Sequence, residues 1–317
     1  MIFGFSKKWL RAGLRVILAG GLFGGGPLPE SHGESPAREL PQVVATTTVV
    51  ADLVREVAGD RVAIDCLMAA GIDPHSYKAT PRDADRLARA DLVVASGLHL
   101  EGKLAELLSR LGRRMPVVFV ADTLPHDQLL EVAPGLFDPH VWFDARLWSR
   151  CPAAVAAALT RIDPDGAADY ERRAIDYAAR LEKLDDELRL RIATIPADQR
   201  VLVTAHDAFR YFGKAYGLEV VGVQGTSTES EAGLGDINRL VDLVVERKIP
   251  ALFLETSVSD RSVTALREGA GARGHDVKLG GRLHSDSLGA DDSQAATLVG
   301  ALRENVETIV AALGGGH

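Results

Sequence analysis

The stretch DGAADYERRAIDYAARLEKLDDELRLRIATIP (residues 165–196) decides the fold. Its apolar positions Tyr170, Ala174, Tyr177, Leu181, Leu184 and Leu188 step alternately by four and three residues. That spacing places them on one face of a long helix. Pro164 and Pro196 bound the segment. At a rise of 1.5 Å per residue, about 28 helical residues span roughly 42 Å. A single helix of this length between two halves of the chain is a stiff strut, and it limits the hinge motion that a loop would permit. An ordinary helix belonging to one half is the alternative.

On either side of that helix, short apolar runs alternate with helical periods. Upstream, QVVATTT (42–48), RVAIDCLMA (61–69), DLVVASG (91–97) and MPVVFVAD (115–122) read as strands. Between them VVADLVREVAGD (49–60), PRDADRLARA (81–90) and EGKLAELLSRLG (101–112) read as helices. Downstream, RVLVTAH (200–206), LEVVGVQG (218–225), ALFLETS (251–257) and DVKLGG (276–281) read as strands, again with helical segments between them. Strand–helix–strand alternation implies a mainly parallel sheet covered by helices. The predicted class is α/β, with two (β/α) lobes of mainly parallel sheet joined by one long rigid α-helix. The expected bounds are an N-terminal lobe at 40–163, the linking helix at 165–195 and a C-terminal lobe at 197–315. The halves share a style and no short repeat.

The chain has 317 residues, 46% hydrophobic and 25% charged, which suits about two globular domains. Net charge is −8, and Lys/Arg-rich runs do not occur beyond the N-terminus, so nucleic acid is not an expected partner. Lys7, Lys8, Arg11 and Arg15 precede the apolar run VILAGGLF (16–23), and a Gly-, Pro- and Ser-rich stretch follows. That order is expected of a secretory signal and flexible segment over 1–35. No Cys precedes Cys66, so an N-terminal lipid anchor is not expected. Cys66 and Cys151 each sit beside apolar residues and read as buried thiols. They lack the close spacing of a Cys-based metal site.

Two of the nine His follow the same dipeptide, in GIDPHSY and FDPHVWFD. Pro fixes its own φ and keeps its predecessor extended, so Asp-Pro is a short rigid approach to His75 and to His140. His206 ends a predicted strand, and Asp286 follows a predicted strand and a Gly pair. Ligands of open α/β sheets bind outside the carboxyl ends of strands. Three neutral imidazoles and a carboxylate make a cation site, with two ligands from each half. Spacing alone leaves a hydrogen-bonded structural role open for each His.

The segments DPHSYKATPRDADRLARADLVVASGLHLEGKL, DPHVWFD, VLVTAHDAFRYFGKAYGLEVVGVQGTSTESEAG, ERKIPALFLETSVS and GGRLHSDSLG together resemble the metal-specific solute-binding proteins of ABC transporters. This is the zinc/manganese-binding cluster A-I (cluster 9) family, and the similarity runs from about residue 42 to 313. The resemblance implies a periplasmic, exported, monomeric receptor. It would capture one Zn²⁺ or Mn²⁺ per chain between its lobes and deliver it to a membrane ABC permease, with no catalysis. His75, His140, His206 and Asp286 match the family's ligand positions. Zinc-dedicated members often carry a long His-rich loop, whereas here the interval between His75 and His140 holds only His99 and His126. Manganese-dedicated members often have Glu where this chain has His206.

Neighbouring residues carry further expectations. His284 stands where the resemblance leads one to expect Tyr, and reads as a rim residue or a spare ligand. His99 reads as a surface residue or a group at the site mouth. Glu255 ends a strand and is placed to hydrogen-bond a ligating imidazole. Asp144 and Asp207 are weaker candidates for that role, and Trp142 and Phe143 are expected to pack the seam between lobes. Because the imidazoles must be neutral to bind, affinity is expected to fall below about pH 6.5. The competing reading is an exported zinc hydrolase, which needs an open metal position and a general base, with Glu255 as the candidate.

Overall fold

The computed structural model describes residues 39–314. The signal segment expected over 1–35 lies outside them. Four strands open the N-terminal lobe: β1 (Gln42–Ala45), β2 (Ala63–Cys66), β3 (Leu92–Ala95) and β4 (Val117–Phe119). They form one parallel sheet in the order β2-β1-β3-β4, with Val43 beside both Ile64 and Leu92. The crossovers are α1 (Thr48–Ala58), α2 (Pro81–Arg89) and α3 (Ala105–Leu111). Local chemistry sets their starts. The Thr80 hydroxyl accepts from the Asp83 amide, the Asp83 carboxylate accepts from the Thr80 amide, and Pro81 opens the helix.

A short antiparallel hairpin follows, β5 (Glu131–Ala133) and β6 (Leu136–Phe137), turned at Pro134-Gly135. The sequence reading did not foresee it. Two helices then lead to the centre of the chain, α4 (Ala145–Trp148) and α5 (Cys151–Ile162). The long helix α6 runs over Ala167–Ile192, 26 residues. It starts slightly later than the prolines suggest, because Pro164–Gly166 form a 3₁₀ turn.

The C-terminal lobe pairs β7 (Val201–His206) with β8 (Glu219–Gln224), and β9 (Ala251–Glu255) with β10 (Lys278–Leu283), all parallel, with β7 lying against β9. Its helices are α7 (Arg210–Tyr216), α8 (Leu234–Glu246), α9 (Arg261–Ala272) and α10 (Leu298–Leu313). A bend at Asp207 and an irregular link through Ala208 and Phe209 separate His206 from α7. One expectation needs correction here. The Gly pair does not end the last strand. β10 continues through it to Leu283 by a register shift between Leu279 and Gly281, which takes φ +130°.

Every apolar position that set the α6 period is buried: Tyr170, Ala174, Tyr177, Leu181, Leu184 and Leu188. The helix lies against α1, α4 and α5 of the first half and against α7 and α10 of the second. One apolar cluster therefore runs through both lobes, from Val43 and Leu53 past Leu181 to Phe253 and Leu302. Smaller clusters cover the outer faces of each sheet. Both cysteines are free, Cys66 half-buried and Cys151 buried.

Candidate metal centre

Four elements deliver one polar side chain each to the place where the strand ends of the two lobes meet. His206 is the last residue of β7, and Asp286 lies just past the end of β10. The turn that carries Asp286 is fixed by the buried Asn305 of α10. Its side-chain oxygen accepts from the His284 amide at 2.8 Å, and its Nδ2 donates to the His284 carbonyl at 2.8 Å. His75 sits in the loop after β2. That loop is packed so closely against Gly102 that a Cβ there would stand 2.7 Å from the His75 carbonyl oxygen. His140 precedes the 3₁₀ turn Val141–Phe143.

The two Asp-Pro-His motifs hold their histidines alike at the backbone. Asp73 Oδ1 accepts from the His75 amide at 2.9 Å, and Asp138 Oδ1 from the His140 amide at 3.0 Å. They differ at the ring. Asp138 Oδ1 also takes His140 Nδ1 at 2.7 Å, whereas Asp73 Oδ2 reaches Ser76 and, in the other lobe, Thr228 at 2.6 Å.

His75, His140, His206 and Asp286 converge. All four are buried, and one ligand atom from each lies within 4.8 Å of every other. The Nε2 atoms of His75 and His140 are 3.2 Å apart. Asp286 Oδ1 is 3.2 Å from His140 Nε2, and Oδ2 is 3.3 Å from His206 Nε2. Nitrogens bound tetrahedrally at 2.0–2.1 Å would stand about 3.3 Å apart, so the spacing fits a common ion. His206 Nε2 and Asp286 Oδ1 are buried and make no hydrogen bond within the protein. Buried polar atoms that converge without protein partners fit the donor set of a cation.

Two carboxylates stand behind the imidazoles. Asp138 takes His140 Nδ1, and Glu255 takes His206 Nδ1 at 2.6 Å and the His206 amide at 2.9 Å. This geometry assigns the ring proton to Nδ1 and turns each Nε2 lone pair inward. Glu255 was anticipated in this role. Asp138 was not, although it lies inside a motif the sequence reading singled out. Electrostatics follow from the same contacts. Burial pushes His75 down to about 4. Burial acts on His140 in the same direction, but Asp138 outweighs it and holds the ring up at about 9. Burial likewise opposes the charged His206, and Glu255 and Asp286 overcome it, raising the ring well above its ordinary value. Asp286 is held well below the usual carboxylate range, because His206 and His140 more than offset its burial. Burial and charge thus move the imidazoles apart: His140 and His206 hold a proton more tightly than a free imidazole, and His75 less tightly.

The remaining candidates fall outside the cluster. His284 turns toward α10, with Nε2 3.5 Å from Glu304. The segment is no longer extended there, so alternation along a strand does not place it beside Asp286. His99 is exposed and lines a separate cleft with Asp122 and His126. Asp144 caps α4 through the Leu147 amide, and Asp207 faces Arg210. Trp142 does span the lobes, its Nε1 donating to the Ser285 carbonyl at 3.2 Å, and Phe143 stacks on Phe209 at 4.3 Å.

Known proteins resemble this chain over nearly all of its described residues. The family model for zinc-uptake complex component A, periplasmic (ZnuA), matches residues 43–312. The zinc-binding protein TroA of Treponema pallidum (strain Nichols) is 43% identical over 297 residues, covering 94% of this chain and 96% of that protein. The manganese-binding lipoprotein MntA of Bacillus subtilis (strain 168) is 43% identical over 285 residues, covering 90% and 93%. The solved structure of the periplasmic zinc-binding protein TroA from Treponema pallidum superposes with a TM-score of 0.84 at 44% identity, covering 86% of this chain and 99% of that one.

Proposed function

The chain belongs to the ZnuA family of periplasmic zinc-uptake components, and on that premise we propose that it captures a single Zn²⁺ or Mn²⁺ ion and delivers it to a membrane ABC permease. The observation that carries this reading is the buried convergence of His75, His140, His206 and Asp286, drawn from both lobes. These four are its proposed ligands. The ion is cargo, and it joins the lobes while it is held.

Three imidazoles and a carboxylate favour Zn²⁺ over Mn²⁺ in affinity. Asp286 presents one oxygen to His140 and the other to His206, so both can reach one ion as a bidentate pair. That fifth donor suits Mn²⁺, which prefers more oxygen, and the two relatives at 43% identity are named for zinc and for manganese. Supply in the compartment then decides which ion is carried.

The hydrolase reading loses support on two counts. Four protein ligands leave little room for a reactive water. Glu255, its candidate base, is committed to His206 through both oxygens. We read the protein as non-catalytic, periplasmic and monomeric, with no nucleic-acid partner. No helix among the described residues is long and apolar enough to cross a membrane.

The test is metal analysis of the exported protein, then Zn²⁺ against Mn²⁺ competition on the stripped form. About one ion per chain is expected, with binding weaker at pH 6 than at pH 8 because the imidazoles must shed their protons. His75→Ala and His206→Ala should each weaken capture strongly. Absence of metal in both experiments would overturn the reading.

A further inference from the structure

Arg210 opens α7, in the C-terminal lobe, and faces a carboxylate of the other lobe. Its Nη1 stands 3.8 Å from Asp138 Oδ2, and its Nε stands 3.8 Å from Asp207 Oδ2. Asp138 is fully buried. Its Oδ1 is used twice by His140, while its Oδ2 makes no hydrogen bond. A buried carboxylate oxygen without a hydrogen bond is costly unless a charge compensates it. The guanidinium is near enough to compensate and too far to hydrogen-bond. Its place is fixed by its neighbour Tyr211, whose hydroxyl donates to the Asp138 carbonyl at 3.2 Å and accepts from the Leu130 amide at 2.9 Å. The start of α7 is thereby pinned to the segment that ends in His140.

We propose that Arg210 is a positioning residue that limits how tightly the ion is held, acting through Asp138 and His140. This rests on the reading of the site as a metal-capture centre. A carboxylate behind a ligating imidazole strengthens that imidazole as a donor. A fixed positive charge on the far side of the carboxylate draws on the same negative charge and weakens the effect. A receptor that must hand its cargo on gains from such a brake, because affinity differences of this kind are expressed mainly in the rate of release.

The experiment uses the full exported chain and Zn²⁺ alone, with affinity read by chelator competition and release by chelator-trapped dissociation. Melting of the metal-free form serves as the folding control. Arg210→Met should tighten binding by roughly ten-fold, the lower range of outer-sphere effects, and slow release. Arg210→Lys should stay near the parent. In an Asp138→Asn background, Arg210→Met should do nothing further, since the two act in one chain of contacts. If Arg210→Met does not fold, Arg210→Gln tests the same point. Unchanged or weaker binding in folded Arg210→Met or Arg210→Gln overturns the proposal, as does an equal gain in the Asp138→Asn background. A parent protein that binds no zinc overturns instead the reading of the site.

Discussion

At the scale of single residues, the two Asp-Pro-His motifs show what the sequence reveals and what it hides. The histidines were legible as a set, through the shared Asp-Pro approach and the family resemblance, while each taken singly left a structural role open. Asp138 was not, since its value comes from reaching Nδ1 of its own motif's histidine, while Asp73 turns instead to Ser76 and Thr228. Identical tripeptides thus support their imidazoles differently, and only the surrounding loops decide which. The consequence can be measured. Glu255→Gln keeps the size of the side chain and removes the charge behind His206, so metal affinity should fall by roughly 10- to 100-fold. His284→Ala should change it by less than about threefold, because that ring faces Glu304 rather than the cluster. Competition titration of both variants decides the point. If His284→Ala were the more damaging, the assignment of the fourth ligand to Asp286 would fail.

At the scale of elements, periodicity was the reliable guide. The helix from Ala167 to Ile192 buries each apolar position that its spacing marked, and its Leu190, off that face, is 74% exposed. Leu181→Ala should therefore cost about 2–5 kcal/mol in urea unfolding, and Leu190→Ala less than about 0.5 kcal/mol. Similar losses at the two positions would contradict the packing of this helix. Glycine was the unreliable guide. Gly280-Gly281 suggests the end of a strand, whereas Gly281 supplies a backbone conformation that lets β10 shift register and go on to Leu283. A Cβ at Gly281 would also stand 2.6 Å from Thr308 Cγ2, so close packing against α10 adds to the requirement. The hairpin over Glu131–Phe137 escaped notice because its strands are too short for a period, leaving only the Pro134-Gly135 turn as a sign.

At the scale of the whole molecule, two lobes joined by a stiff helix were visible in the alternation of elements. That the lobes share one core through that helix was not, because periodicity shows which face is apolar and never what covers it. The sharing has a polar component. Asp52 of α1 accepts from the Tyr177 hydroxyl of α6 at 3.1 Å and from the Leu298 amide that opens α10, also at 3.1 Å. One carboxylate thus ties the N-terminal lobe to the linking helix and to the last helix. Burial raises its pKa from 3.8 to about 6, the two hydrogen bonds opposing only in part. Between those values the folded state holds a proton that the unfolded state has released. The stabilisation from that proton is complete below about pH 4 and is lost as the pH rises through about 6. At neutral pH the folded protein therefore carries a buried charge worth at most about 3 kcal/mol. Asp52→Asn keeps an oxygen for both donors and carries no charge at any pH. The variant should gain stability relative to the parent as the pH is raised from 4.5 to 7.5, measured by urea unfolding of the metal-free proteins. Titration of the metal ligands is common to both chains and cancels in the difference. A difference that stays constant across that range would mean that Asp52 is ionised in the fold at every pH, and that the tie between the lobes is an ordinary charged one.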